Sequence, residues 1–208
     1  MDYYTASEER MNVITHAIGM VMSVVGLVFL IIKSVDHGTA AAVISFTVFG
    51  VSMICLYAAS TFYHASKTPH LRKRMQIVDH AAIYVLIAGT YTPFTLVTLP
   101  GWVGWTVFGV SWGLACIGII LKMFFTGKYD ILSTIMYVAM GWMIVFAIKP
   151  LLNHYDAAGF PWLIGGGVAY TVGAVLYSMR KIKFNHAIFH VCVLIGTSLH
   201  YVAVYGYV

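Results

Sequence analysis

The sequence predicts an all-α membrane protein of seven spanning helices, and three observations carry that prediction. Only 9% of the 208 residues are charged against 61% hydrophobic, whereas a soluble domain carries roughly 25% charged residues. The chain is also divided into long runs without Asp, Glu, Lys or Arg, at 11–32, 37–66, 80–121, 131–148, 157–179 and 184–208. Finally, the basic residues cluster in alternate loops. The mean hydropathy is +0.86. Continuously apolar runs exclude a β-barrel, whose strands would alternate apolar and polar residues. Membrane lipids are the expected partners of such a chain, and its net charge of +5 reports topology and anionic headgroups, not nucleic acid.

A helix needs about 20 apolar residues to cross the hydrocarbon core. The first run gives a helix over 12–33 and the second one over 39–63. The third run, 80–121, is long enough for two, 78–99 and 101–123, divided where Leu99-Pro100-Gly101 forms a tight turn. Pro93 is expected to kink the first of these. Trp102 and Trp105 open the fourth helix, where interfacial tryptophans belong, and Gly109 and Gly113 form a GxxxG that lets a neighbouring helix approach. The remaining helices are 130–149, 160–180 and 186–207. All belong to one transmembrane domain, 1–208. The acidic segment Met1 to Glu9 lacks the basic start of a cleaved signal peptide.

Orientation follows from lysine and arginine. With seven helices, the N-terminus and the second, fourth and sixth loops share a side. That side holds Arg10, Lys67, Arg72, Lys73, Arg74, Lys122, Lys128, Arg180, Lys181 and Lys183, and the other only Lys33 and Lys149. The N-terminus is therefore expected in the cytoplasm and the C-terminus outside, in a multi-pass membrane protein.

Polar residues gather at one depth. His64 ends the second helix, Asp79 begins the third, and His186 and His190 open the seventh, all at the expected cytoplasmic end. Histidines four apart share one face of a helix, as do Ser60 and His64. The first helix adds Glu9, Asn12, Thr15 and His16 as supporting residues. Ionisable groups within spans are costly and normally face the bundle interior in pairs or on metals. Three histidines with an acid suit zinc, whose catalytic sites keep a position open for water. Asp79 is then either a fourth ligand or the group that holds the water and takes its proton. His16 is expected to be a hydrogen-bonded core residue, and His80 to point away from the site. His37, His70 and His154 read as solvated. His200 is about 15 Å beyond His190 along the helix, too far to share an ion. Cys55, Cys116 and Cys192 have no ligand spacing and read as buried small hydrophobes.

Four motifs give the chain a family resemblance. They are Glu9-Arg10-Met11-Asn12-Val13-Ile14-Thr15-His16-Ala17-Ile18-Gly19, then Ser60-Thr61-Phe62-Tyr63-His64, then Asp79 with Ile83-Tyr84, then His186-Ala187-Ile188-Phe189-His190. In this order on seven spans they resemble the hemolysin III family, the bacterial branch of the progestin and adipoQ receptor superfamily. The resemblance implies a zinc ion held by His64, His186 and His190, with Asp79 at the water position and Ser60 in support. It also implies ceramidase-like chemistry, since that superfamily is grouped with alkaline ceramidases. The expected function is zinc-dependent hydrolysis of a lipid amide or ester, with Asp79 as general base and Ser60 donating to the oxyanion. The alternatives are a non-catalytic membrane regulator stapled by a structural zinc, and a pore-forming cytolysin. A pore should carry polar residues along the full depth of a helix, and here they stop at one leaflet.

Overall fold

A computed structural model describes residues 4–179 and 181–208. Among them are seven helices long and apolar enough to cross a membrane, and no strand. We label them α1 (Ala6–His37), α2 (Ala40–Ala65), α3 (Pro69–Pro93), α4 (Gly101–Phe125), α5 (Ile131–His154), α6 (Phe160–Ser178) and α7 (Asn185–Tyr207).

The helices reach past the apolar runs, because their ends are set by local capping as well as by lipid. α1 begins at Ala6, not near residue 12. Thr5 accepts from the Glu8 N–H while Glu8 accepts from the Thr5 N–H, a reciprocal capping box. This extra turn brings Glu9 onto His64 and Glu8 onto the Phe184 N–H at 3.1 Å. α1 stops at Gly38, in the left-handed region at φ 78°, where a side chain would be strained. α3 starts at Pro69, whose missing N–H costs nothing in a first turn.

At Pro93, where a kink is expected, the helix changes type. α3 continues beyond it as a π-helical turn, Phe94–Thr98, closed by the Leu99 N–H on the Phe94 carbonyl at 2.8 Å. α5 is also interrupted: it runs to Gly141, passes through a 3-10 turn (Met143–Ala147) and resumes at Ile148–His154. Exposed backbone polar groups at such a break are expensive in a membrane. The Tyr91 hydroxyl of α3 fills it, lying 2.8 Å from the Gly141 carbonyl and accepting from the Ile144 N–H at 3.0 Å.

The helices pack in chain order, α1 on α2, α2 on α3, α3 on α4, α6 on α7, and α7 back on α1; α5 meets α3, α4 and α6 more sparingly. Large apolar side chains point outward, among them Phe29, Phe124 and Phe146. The inward positions of α4 are Gly104, Ser111, Ala115, Gly118 and Lys122, a helical spacing of small residues that ends in a lysine. Small inward residues let membrane helices approach closely. A Cβ on Gly118 would lie 2.4 Å from the Tyr84 ring. The GxxxG pair behaves differently: Gly109 and Gly113 are on the outer face, with nothing within 4 Å of a Cβ there. The cysteines also depart from expectation. Cys55 and Cys116 are exposed on the outer surface of their helices, and Cys192 is half-buried where it packs on Gly173 of α6.

Candidate metal centre

His64 lies in the last turn of α2, and His186 and His190 in the first turns of α7. All three are buried at 4%, 6% and 1% exposure, and one ligand nitrogen from each lies within 4.8 Å of the other two. The Nε2 atoms of His64 and His186 are 3.0 Å apart. Zinc–nitrogen bonds of 2.0–2.1 Å at tetrahedral angles hold ligand nitrogens about 3.3–3.4 Å apart, so a small adjustment seats an ion between them.

The outer nitrogens determine which ring atoms face inward. His64 Nδ1 lies 2.7 Å from Glu9 Oε2, and a carboxylate only accepts, so Nδ1 carries the proton. His190 Nδ1 lies 3.3 Å from the Asn12 carbonyl, again an acceptor only. It also lies 3.3 Å from Thr15 Oγ1, whose own hydrogen is directed at the Met11 or Asn12 carbonyl. Both rings therefore present an Nε2 lone pair to the centre. His186 Nδ1 is 3.0 Å from the Tyr4 hydroxyl, which can accept or donate. Burial holds the Tyr4 phenol well above its ordinary pKa, so it remains protonated and keeps both roles. Without an ion, His186 can turn its Nε2–H toward His64; with one, its Nδ1–H turns to Tyr4. The donor set fits a three-histidine metal site with each ring oriented by an outer partner.

The supporting residues predicted on α1 converge here. Glu9 bridges His64 and Arg72, pairing with the guanidinium through its other oxygen. Asn12 Nδ2, 3.4 Å from His64 Nδ1, is too distant to compete with that carboxylate. Thr15 serves His190. His16 is placed differently from expectation: it is buried, yet neither ring nitrogen has a hydrogen-bond partner among the described residues. It stacks on His190 at 3.5 Å and 7° and meets the Tyr57 ring edge-on. Stacking, not hydrogen bonding, holds it.

Asp79 is buried at 6% exposure, beside Ser60 and within electrostatic reach of His64. It is not among the mutually close ligand atoms, which are the three histidines alone. Ser60 Oγ stands near enough to support that carboxylate, although it is short of hydrogen-bond geometry with any of the described residues. A carboxylate and a hydroxyl thus stand next to the three histidines.

Asp79, Ser60, His186 and His190 line one end of a largely apolar cavity of about 340 Å³, which continues past Leu86, Phe94 and Leu163 to His200. His200 Nε2 is 3.0 Å from the Leu163 carbonyl, away from the three clustered histidines as its spacing requires. His37, His70 and His154 are exposed. Two cavity residues escape sequence reasoning. His80 lines the wall despite its angular offset from Asp79, and Lys122 lines it while buried at 4% exposure. The spacing Ser111, Ala115, Gly118, Lys122 is the signal that could have placed the lysine inward. Tyr4 likewise precedes the first apolar run and gives no signal of its own.

The chain matches the family described as "Haemolysin-III related" over residues 4–201. It is 49% identical over 201 residues to "Hemolysin-3" of Bacillus cereus, covering 97% of this chain and 92% of that one. It is 46% identical over 204 residues to the "Hemolysin-3 homolog" of Bacillus subtilis (strain 168), covering 98% and 96%. At 29% identity over 213 residues, it is also similar to "Monocyte to macrophage differentiation factor" of Homo sapiens, covering 98% and 85%. With its seven apolar helices and this match along nearly its whole length, the chain is a multi-pass integral membrane protein of the haemolysin-III related family.

Proposed function

We propose that this protein is a zinc-dependent hydrolase of a lipid amide or ester. The observation that carries the proposal is the pair of inward-facing Nε2 lone pairs on His64 and His190, fixed by acceptor-only partners and joined by His186, with His186 and His190 lining a largely apolar cavity. His64, His186 and His190 would hold the ion. A bound zinc supplies a water of pKa about 7 and polarises a carbonyl. The chain's own residues do the rest. Asp79 orients the attacking water and takes its proton, Ser60 donates to the oxygen on which charge develops, and the apolar walls hold the acyl chain and exclude bulk water. Glu9, Tyr4 and Thr15 keep the three rings aligned.

The competing reading is a regulator in which zinc only ties α2 to α7. What favours it is that the three histidines already join two helices through one cluster. Purified protein incubated with N-acyl lipids and lipid esters, first zinc-loaded and then chelated, separates the two. Turnover that falls on chelation and returns with zinc supports the hydrolase. A zinc-loaded, folded protein without turnover on any of these lipids favours the regulator.

A further inference from the structure

Residues 4–9 precede the apolar run of α1, yet they are tied to three other helices. The Tyr4 hydroxyl lies 3.0 Å from His186 Nδ1 on α7. Glu8 uses one oxygen to cap α1 and the other to accept from the Phe184 N–H, just before α7, at 3.1 Å. Glu9 meets His64 of α2 at 2.7 Å and pairs with Arg72 of α3 through its other oxygen. Arg72 is anchored in turn, donating to the Ser66 carbonyl at 3.3 Å and lying 4.7 Å from the centre of the Tyr63 ring.

This strap lies directly over two of the three histidines. The centre of the Tyr4 ring is 4.8 Å from that of His186 and 6.1 Å from that of His64, while Thr5, Ala6 and Ser7 beside it are exposed. The other approach to the histidines runs along the cavity, past Leu86, Phe94 and Leu163. A hydrated dication gives up its water at high cost between such walls. Its short route is from the aqueous side, through the strap.

Two features let the strap open. The bonds that Glu8 makes to Thr5 and Phe184 are exposed, and an exposed helix end opens locally while the rest of the fold stays intact. Phe184, the residue that Glu8 holds, is also the only non-glycine at positive φ among the described residues, at 58°, a strained conformation for a bulky side chain. Release by Glu8 frees Phe184 to relax, and with it the first turn of α7, which carries His186.

We infer that residues 4–9 form a lid on the metal centre, latched by Glu8 on Phe184 and by Tyr4 on His186, which must lift for a zinc ion to enter or leave. The inference rests on the metal reading of the three histidines in the proposed function and requires no hydrolysis.

The test uses purified full-length protein in neutral detergent and follows zinc by stopped flow, entering from a fluorescent zinc buffer and leaving to a strong chelator. A lid that must open scales both rates by the fraction of time it is open. Breaking the latch therefore raises both and leaves the dissociation constant nearly unchanged. Glu8→Ala, at a residue that bonds to none of the histidines, should speed entry and exit about five- to tenfold each, the effect of losing one hydrogen bond. Glu8→Gln keeps an acceptor for Phe184 and should exchange zinc as the wild type does. Tyr4→Phe also loses the hydroxyl that orients His186, so it should speed exit more than entry. Faster exit without faster entry in Glu8→Ala would reduce Glu8 to an aligning residue and overturn the lid, as would no change in either rate. Metal-free protein gives a second readout. Diethyl pyrocarbonate should modify His186 faster in Glu8→Ala than in the wild type, while His200, at the other end of the cavity, is modified equally in both. Equal modification of His186 in the two proteins overturns the lid, and so does a rise at His200 that matches the rise at His186. Wild-type protein that takes up no zinc ends the metal reading itself, whereas zinc held and exchanged at the same rates in wild type and Glu8→Ala ends only the lid.

Discussion

Asp79 is the residue on which staple and catalyst give different expectations. It stands beside the histidines but outside their ligand set, so removing its charge should leave the metal in place. Asn keeps the size and hydrogen bonding of Asp but cannot take a proton. Asp79→Asn should therefore remain folded and zinc-loaded while losing about 10²–10⁴-fold in turnover, with zinc content and melting temperature measured on the same sample. Retained turnover would remove Asp79 as base, and zinc lost with activity would make it a ligand. The histidines predict the reverse pattern. His64→Ala, His186→Ala or His190→Ala should each lose most of the bound zinc, and His200→Ala should lose none. Between these lies Glu9, which touches no metal position but orients His64. Glu9→Ala should weaken apparent zinc affinity about 10–100-fold, read by competition with a chromophoric chelator. An unchanged affinity would mean that Arg72 and Glu9 merely close the bundle end. The three histidines could be found in the sequence because four-residue spacing and depth along a helix are both countable. His16, His80 and Lys122 could not be placed as reliably, since their roles depend on which way a neighbouring helix is turned.

At the scale of the helix, run length sufficed to find the seven spans, but the irregular turns obeyed other forces. The first turn of α1 is polar and invisible to hydropathy; it is helical because Thr5 and Glu8 satisfy each other's backbone donors. The break in α5 gives no sequence signal short of knowing that Tyr91, on another helix, will supply its hydrogen bonds. The π turn after Pro93 illustrates the same dependence. A Cβ on Gly104 of α4 would lie 2.2 Å from the Thr95 carbonyl of that turn, a backbone atom with no rotamer to change. Gly104→Ala should therefore push the start of α4 away from α3 and destabilise the protein by about 1–3 kcal/mol, seen as a lower melting temperature in detergent. Gly109→Ala, where nothing lies within 4 Å, is the matched control and should melt as the wild type does. Equal melting of the two variants would show that the α3–α4 junction yields without cost.

For the whole molecule, orientation decides which side of the membrane the candidate metal centre faces. The three histidines, Asp79, Arg72 and the first turn of α1 all lie at the end of the bundle that carries the N-terminus. Chain order makes this unavoidable: α2 arrives at that end, α3 and α7 leave from it, and α1 starts there. Orientation is thus one binary choice that carries the entire site with it. Ten of the twelve lysines and arginines belong to that end by sequence and two to the other, which predicts that it is cytoplasmic. Two of the ten, Arg72 and Lys122, are buried inside the protein, so they report less on topology than exposed loop residues do. Removing them leaves eight against two, and the direction is unchanged. Reporter fusions after Lys128 should therefore read inside and fusions after Val208 outside. A membrane-impermeant chelator should fail to strip zinc from intact cells and succeed once inverted vesicles expose the inner face. A C-terminal reporter on the inside would reverse the orientation or change the number of crossings. An external chelator that empties the site in intact cells would place the metal centre on the outer face, and with it the source of any substrate.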